Sequence, residues 1–554
     1  MDYLRLLYRE SEDVGTQLTI IGVFESIANV ILMATVLAAA NKETASFGEV
    51  QLAIIFSLCL LIFLLFRSHL MNNISRLIEA VVRSIRMRIT DRVRKAELVS
   101  LESVGRPDIL QVLAQDCQTL YDSAQDILTA CGQAAVLVCS IFYLSIVSFN
   151  AFLAIGATLV GGIVFSLRNY RNILKGFEQA RREEERFFSI LNDQLVGFKE
   201  LRIHEDKARD FYENDVTVSA LRTERLKLAA AIQSNLGTNL SQAFFFFLLG
   251  GIVFVLPKFM EPGTATALTI SKIVAVFLFI DAPIELIART IPIYTRANVA
   301  ARNIGRLDKR LGEMIQESIE EQSRTSDFQR LRCNQLTFRF PVRPNLPQDA
   351  FRLGPIDLQV NKGEIIFLTG GNGSGKSTFL NLLCGLLAPT SGQLIINDNV
   401  GIREQRAQYR SYFSTILHDY HLFGRLLGHS HKNRDRVPEL LTKLRLDGVT
   451  AIDEKGNFTN LHLSAGQKKR LALLVTECDD REILLFDEWA ADQDPEFRRY
   501  FYEEYLHELK ARGKTIIAAT HDDRYFHVAD RVLHLERGTL SERTSSTLPY
   551  LGRV

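Results

Sequence analysis

Apolar stretches long enough to cross a bilayer recur six times in this sequence, and all of them lie before about residue 290. They run near residues 17–40, 50–66, 127–149, 151–167, 228–256 and 264–288. Each approaches the roughly 20 residues that a ~30 Å hydrocarbon core demands of a helix. Composition alone hides this division. Hydrophobic residues are 47% and charged residues 23% of the 554, yet the mean hydropathy is +0.05, high for a soluble enzyme. A very apolar part is averaged with a polar one.

Charge between the apolar stretches gives them a direction. The connection 67–126 carries Arg67, Arg76, Arg83, Arg86, Arg88, Arg92, Arg94, Lys95 and Arg106, and the connection 168–227 is similarly basic. The turn Ser148-Phe149-Asn150 is uncharged, and Lys42 and Lys258 are the basic residues of the opposite loops. The positive-inside rule then predicts that the N-terminus, both long connections and everything after residue 289 face the cytoplasm, a parity that six spans satisfy. The first stretch reads as a membrane helix and not a cleaved signal, because Asp2, Glu10, Glu12 and Asp13 precede it against Arg5 and Arg9.

The two long connections are equal in length, rich in helix formers and free of proline except Pro107. Structureless loops of that size are uncommon. They are expected to be helical arms, about 25 residues out and 25 back, ~37 Å each way. Their tips, near residues 99–110 and 197–206, are placed to touch something below the membrane.

The polar half is organised around phosphate. Gly370-Gly371-Asn372-Gly373-Ser374-Gly375-Lys376-Ser377-Thr378 fits G-x-x-x-x-G-K-[ST]. It follows a short apolar strand and opens a helix-like run. Successive glycine N–H groups curl around phosphate oxygens, Lys376 reaches the terminal phosphates, and Ser377 offers its hydroxyl to Mg²⁺ at a helix N-terminus. Residues 363–369, 482–486 and 514–519 read as strands between helical patterns, which predicts an α/β domain. The strand Ile483-Leu484-Leu485-Phe486 ends in Asp487 and Glu488, a metal-side carboxylate and a base for water once the phosphate loop is given. Leu463-Ser464-Ala465-Gly466-Gln467 opens an amphipathic run, so Ser464 and the first N–H groups of that helix are donors for a γ-phosphate.

These elements together resemble the ATP-binding-cassette (ABC) transporters, whose signature is usually L-S-G-G-Q; Ala465 is a mild departure. The resemblance implies further roles. His521, in Thr520-His521-Asp522, matches the switch histidine that senses γ-phosphate. Phe340 matches the aromatic that stacks on adenine, normally Tyr. Ala491-Asp492-Gln493-Asp494 occupies the loop that contacts the opposing subunit, with Asp494 at the nucleotide side. His418, in Ser414-Thr415-Ile416-Leu417-His418-Asp419, stands where the family has a glutamine. In the family one cassette's phosphate loop faces the signature of a second. One copy of each therefore implies a homodimer binding two ATP with Mg²⁺.

Six spans followed by a cassette look like the exporter type. Asp487-Glu488-Trp489-Ala490-Ala491-Asp492-Gln493-Asp494-Pro495, His521-Asp522-Asp523-Arg524-Tyr525-Phe526 and His418-Asp419-Tyr420-His421-Leu422-Phe423 are similar to bacterial cyclic-peptide and siderophore-peptide exporters of the syringomycin, pyoverdine and microcin-efflux type. The expected fold is thus an α-helical membrane domain of six transmembrane helices at 1–311, a linker at 312–330, and an α/β P-loop ATPase domain at 331–554. It is expected in a bacterial inner membrane, hydrolysing ATP to export an amphipathic, cyclic or modified peptide. A lipid or multidrug flippase of the same architecture is the alternative, and an ATP-gated regulator or channel is a third class.

Net charge near zero, 65 Lys+Arg against 64 Asp+Glu, excludes a whole-chain nucleic-acid footprint. Seven scattered cysteines without C-x-x-C spacing argue against a disulfide framework or zinc. Cargo candidates are Asp281 and Glu285, which share a face of the last span with Arg289. Glu25, ~12 Å into the first span, joins them. An intrahelical Glu285–Arg289 pair is the plainer reading of the former. The phenylalanine run 244–247 reads as packing or lipid-facing bulk.

Overall fold

A computed structural model describes residues 49–259, 267–313, 327–340, 351–403 and 405–543, with 27–36 and the isolated positions Tyr3, Arg5, Leu6, Phe24 and Ala39. Glu25, most of the first apolar stretch and most of the linker 312–330 lie outside the described residues. The chain divides into two compact units: Met1–Thr90 with Pro107–Arg310, and Asp91–Arg106 with Leu311–Val554.

The described helices of the first half are, in chain order, α1 (Glu49–Lys95), α2 (Leu98–Val104), α3 (Arg106–Gln111), α4 (Cys117–Val147), α5 (Phe149–Val196), α6 (Phe198–Ile203), α7 (Glu205–Phe211), α8 (Thr217–Gly250) and α9 (Ala267–Glu313). At 47 residues, α1 is about 70 Å long, more than twice a hydrocarbon core. The expected arms are therefore unbroken continuations of the apolar helices. Along α1, Ile74, Ile78, Val81, Ile85 and Ile89 recur every three or four residues, and each is buried. Towards its N-terminal end Ile54, Leu58, Leu61 and Leu65 are apolar yet exposed, as lipid-facing residues are.

Between α4 and α5 the uncharged turn is tight. Ser148 is extended, and its hydroxyl accepts from the Ala151 N–H at 3.4 Å, capping α5. Near this turn Leu144, Ala151 and Ile155 pack with Ile252, Ile273, Val276, Phe277 and Ile280. Phe245 stacks on Phe277 with centroids 4.6 Å apart, while Phe244, Phe246 and Phe247 are exposed. Three segments are long and apolar enough to cross a membrane among the described residues: Val50–Lys95, Arg106–Val147 and Glu205–Val255, with a shorter apolar helix at Ile27–Val36.

The arms match element for element. Short helices α2 and α3 are followed by one wide π turn at Val112–Asp116, and α6 and α7 by another at Tyr212–Val216. Their tips differ in packing. The α6 tip buries no side chain. Residues 91–106 instead belong to the second unit: Leu98 and Val99 pack against its core, and Glu97 Oε1 receives Arg406 Nη1 at 2.7 Å, with the Arg406 side chain only 8% exposed.

The second unit is built on a six-stranded sheet in the order β10-β9-β3-β8-β7-β6. Strands β3 (Ile365–Thr369), β7 (Ile483–Asp487) and β8 (Thr515–Ala519) are buried at every residue. That explains why they read as continuous apolar runs, since a parallel sheet is covered on both faces. Strands β6 (Phe413–Ile416) and β9 (Arg531–Glu536) complete the parallel part, and β10 (Thr539–Arg543) joins β9 antiparallel. A separate antiparallel sheet, β2-β1-β4-β5, is formed by Arg352–Asn361, Arg330–Arg339, Ser391–Ile396 and Val400–Gly401. One core lies between the two sheets, with Leu331, Val360, Leu368, Phe379 and Ile517. Another, containing Phe367, Leu473, Phe486 and Trp489, lies on the opposite face of the six-stranded sheet.

Candidate active site

The phosphate loop leaves β3 and enters α10 (Lys376–Leu383). Two of its glycines are required by geometry. At Gly370, φ is +151° and a Cβ would come within 2.3 Å of the Leu535 carbonyl. At Gly375, φ is +104° and a Cβ would come within 2.4 Å of the Phe351 ring. No side chain fits either place. Gly371, Asn372 and Gly373 are exposed at the loop crest, Ser374 is buried with no partner for its hydroxyl among the described residues, Ser377 is exposed and Thr378 half-buried.

Lys376 is the hub. Its ammonium donates to the Gly370 and Gly371 carbonyls at 3.0 and 3.3 Å and lies 3.1 Å from His521 Nε2 and 3.7 Å from Glu488 Oε1. His521 Nε2 is in turn 3.2 Å from Glu488 Oε1. That nitrogen stands between an obligate donor and an obligate acceptor, so a neutral imidazole satisfies one at a time. The histidine is held by its neighbours. Tyr502 donates to Asp522 at 3.2 Å and shares a 2.7 Å bond with the Thr520 hydroxyl, which accepts from the Asp522 N–H.

Asp487 ends β7 with 2% exposure. Burial raises its pKa, opposed by a hydrogen bond from Ser377 and by the charges of His418 and Lys376, while Glu488 raises it further. Its Oδ2 has no hydrogen-bond partner among the described residues. A hydroxyl and a buried orphaned carboxylate oxygen form an oxygen-only donor set that fits a hard divalent cation such as Mg²⁺. Glu488, next along, is left-handed (φ 51°, ψ 38°) and its N–H donates to Ala519 O at 3.0 Å. His418 lies exposed just beyond β6, beside the end of β7, near enough to act on Asp487. Phe340 follows β1, 37% exposed, edge-on to Phe338 at 4.9 Å.

The signature residues are grouped elsewhere in the fold. Ser464 caps the helix Ala465–Asp479: its hydroxyl accepts from the Gln467 N–H, and Gln467 Oε1 accepts from the Ser464 N–H. Ser464 and Ala465 are exposed; Gly466 and Gln467 are half-buried. A Cβ at Gly466 would come within 2.8 Å of Asp492 O, and Gln493 Nε2 donates to the Gly466 carbonyl at 3.2 Å. Arg470 binds Gln493 and pairs with Asp494, which caps Pro495–Tyr500 by accepting from Phe497 N–H at 2.8 Å. Among the described residues, 464–467 make no hydrogen bond to 370–378. The fold thus joins Lys376, Asp487, Glu488 and His521, and sets 464–467 against 492–494. Asp281 and Glu285 are exposed on α9, and no ion pair joins Glu285 to Arg289 among the described residues. Not legible as such in the sequence are the supports Trp489, whose indole N–H donates to the Lys469 carbonyl at 2.8 Å, Arg498, paired with Asp522 at 3.5 Å, and Tyr502. The chain's single tryptophan beside Glu488 was the available signal.

Known proteins place this assembly. A family model described as "ABC transporter" matches residues 353–491. The chain is 30% identical over 472 residues to ATP-binding protein SyrD of Pseudomonas syringae pv. syringae, covering 83% of this chain and 82% of that protein. It is 32% identical over 215 residues to macrolide export ATP-binding/permease protein MacB 2 of Aeromonas hydrophila, 35% of this chain and 32% of that one. In fold it is similar to a bacterial Atm1-family ABC exporter solved with ATP bound. That TM-score is 0.73 at 16% identity, over 97% of this chain and 95% of the other. A likeness that runs through the helical half as well as the cassette makes this chain a member of the ABC transporter family, with exporter architecture and ATP hydrolysis coupled to transport.

Proposed function

We propose that the chain is one half of a homodimeric exporter that drives an amphipathic, cyclic or modified peptide across the bacterial inner membrane. The observation that carries the two-copy arrangement is that, among the described residues, 464–467 bond to 493 and to one another and make no hydrogen bond to 370–378. A phosphate loop and a signature held apart in this way are completed by a second copy. The peptide cargo is supported by whole-chain likeness to SyrD and by the stretches 487–495 and 521–526. In this reading residues 1–311 hold six spans, 312–330 form a linker and 331–554 the ATPase domain. The N-terminus and cassettes are cytoplasmic, and Glu25, Asp281 and Glu285 line the cargo path.

The chemistry follows from the site. ATP bound with Mg²⁺ supplies the transferable phosphoryl group and neutralises its charge. Ser377 and Asp487 would hold the metal, and the N–H groups of 371–378 with the Lys376 ammonium cradle the phosphates. Phe340 offers a π face to adenine. Ser464, with the N–H groups of Ala465, Gly466 and Gln467, caps the partner's γ-phosphate, with Asp494 beside it. Glu488 takes the proton of the attacking water, and His521 switches its Nε2 contact between Lys376 and Glu488 as phosphate charge changes. His418 serves in place of the family's glutamine, its ring bonding water or relaying closure.

The deciding experiment is ATPase activity and uptake into inverted vesicles by purified full-length protein. Cyclic lipopeptides are expected to stimulate both. Stimulation by lipid alone would favour the flippase, and ATPase without movement of any cargo would favour a regulator. Glu488→Gln should bind ATP normally and lose turnover by about 100-fold or more, because the amide keeps shape without basicity. Near-normal hydrolysis would remove Glu488 from the mechanism.

A further inference from the structure

Lys469 lies on the second turn of the signature helix Ala465–Asp479, where an exposed lysine would be unremarkable. Its side chain is instead turned inward and 10% exposed. The ammonium donates to the Glu488 carbonyl at 2.7 Å and pairs with Asp492 Oδ2 at 2.8 Å. The Lys469 carbonyl meanwhile accepts the Trp489 indole N–H at 2.8 Å. One residue thus brackets two consecutive positions, 488 and 489, through its side chain and its backbone.

The bracket falls at a strained point. Glu488 holds left-handed backbone angles, a region that residues with a β-carbon avoid. Its N–H is fixed to Ala519 O at 3.0 Å on one side, and its carbonyl to Lys469 on the other. Trp489, 1% exposed and 4.2 Å from the Phe501 ring, leaves the following peptide no room to swing. Because the side chain leaves from the same Cα, pinning both flanking peptides sets where the carboxylate points.

We propose that Lys469 is a positioning residue for ATP hydrolysis: held by Asp492, it clamps the Glu488 carbonyl and aims the Glu488 carboxylate at the water. Its ammonium faces inward, so it makes no contact of its own with nucleotide on a facing copy. The helix that carries Ser464 is thereby tied to the base of its own chain. A shift of the signature as it engages one ATP moves the carboxylate that acts on the other.

The proposal rests on Glu488 as the base, and the test separates the two. Steady-state ATPase of the full-length dimer is compared for wild type, Lys469→Met, Lys469→Arg, and Lys469→Met in a Glu488→Gln background. Methionine keeps the aliphatic stem and deletes the ammonium. It is expected to lower kcat between about 10-fold and 100-fold, the scale of a misaligned catalytic group, with KM for ATP within about twofold. Arginine, which retains charge and donors, should recover most of that loss. In the Glu488→Gln background the methionine change should cost nothing further. Unchanged kcat in Lys469→Met, a parallel rise in KM, failure of arginine to rescue, or an additional loss on top of Glu488→Gln would each overturn the proposal. Full turnover in Glu488→Gln alone would instead refute the reading of Glu488 itself.

Discussion

The signature helix is anchored at its far end by a buried carboxylate, and removing that charge makes a quantitative test of how the cassette is held. Glu477, its side chain 2% exposed, receives Arg512 Nη1 at 2.6 Å and Arg436 Nη2 at 3.4 Å, and the Tyr505 hydroxyl donates to it. Burial, and then the Glu477 charge, push the Tyr505 phenol well above its usual range. In Glu477→Gln shape is kept while Arg512 loses its counter-charge and Arg436 keeps, among the described residues, only that of Asp480, at 4.0 Å. Breaking a fully buried pair costs about 3–5 kcal/mol, but Arg512 and Arg436 are each 36% exposed and rehydrate. The expected loss is therefore about 2 kcal/mol. With a urea dependence of about 3 kcal/mol per molar for a domain of this size, the midpoint falls by about 0.7 M. The assay is built in: Trp489 is the only tryptophan, 1% exposed in the core that Tyr505 shares. Its fluorescence in a urea titration of the full-length protein therefore follows cassette unfolding. Arg512→Met should give a comparable fall, and the double variant less than the sum. A shift under about 0.2 M, or one abolished by about 0.5 M NaCl, would show that the cluster behaves as a screened surface pair and refute the argument.

Two further outcomes are expected. Phe149→Cys or Asn150→Cys should be labelled by an impermeant maleimide from outside intact cells, and Arg202→Cys only after the cytoplasm is opened; labelling of both from one side would overturn the six-span topology. At Asp530 burial pushes the carboxyl up, but the Ile365 N–H at 2.8 Å and the Lys510 ammonium at 2.6 Å outweigh it and hold the pKa below its usual value. A depressed native value contributes stability above pH ~4 that is lost as pH falls through it. Asp530→Asn should therefore lower the urea midpoint at pH 7 and flatten its fall below pH ~4, and an unchanged acid limb would contradict the assignment.

The parts of this fold that are legible in the sequence are those whose signal is local. The phosphate loop declares itself because Gly370 and Gly375 admit no side chain, and β3, β7 and β8 because burial on both faces leaves runs of apolar residues, with Thr369, Asp487 and Thr515 only at their ends. The antiparallel sheet is harder to read. In β1 the alternation is broken by register shifts between Cys333 and Phe338, with Gln335 left-handed, so inward residues do not recur every second position. The ties that hold the arm tip and the site join residues distant in sequence, Glu97 with Arg406 for the first and Lys469 with Glu488 for the second, and no periodicity encodes them. Equal arm lengths are visible in the sequence; that one tip packs against the cassette core while the other buries nothing is not. The expected Glu285–Arg289 pair fails for a different reason. Spacing brings two residues to one face of a helix, but on an exposed face nothing obliges their side chains to meet.

Sheet order also governs how this protein is made. The strand that carries the phosphate loop, β3, is the earliest of its sheet to be synthesised, yet its neighbours are β8 and β9, among the last. Until the chain has been made through Glu536, this buried strand lacks its partner on one edge, and β8 alone sets its register. Long-range parallel pairing of this kind forms slowly and exposes unpaired edges meanwhile. A gene truncated shortly after Thr520 would thus yield a cassette with β6, β7, β8 and β3 in place but with β3, the strand that presents the phosphate loop, left as an open edge, a product for proteases and chaperones.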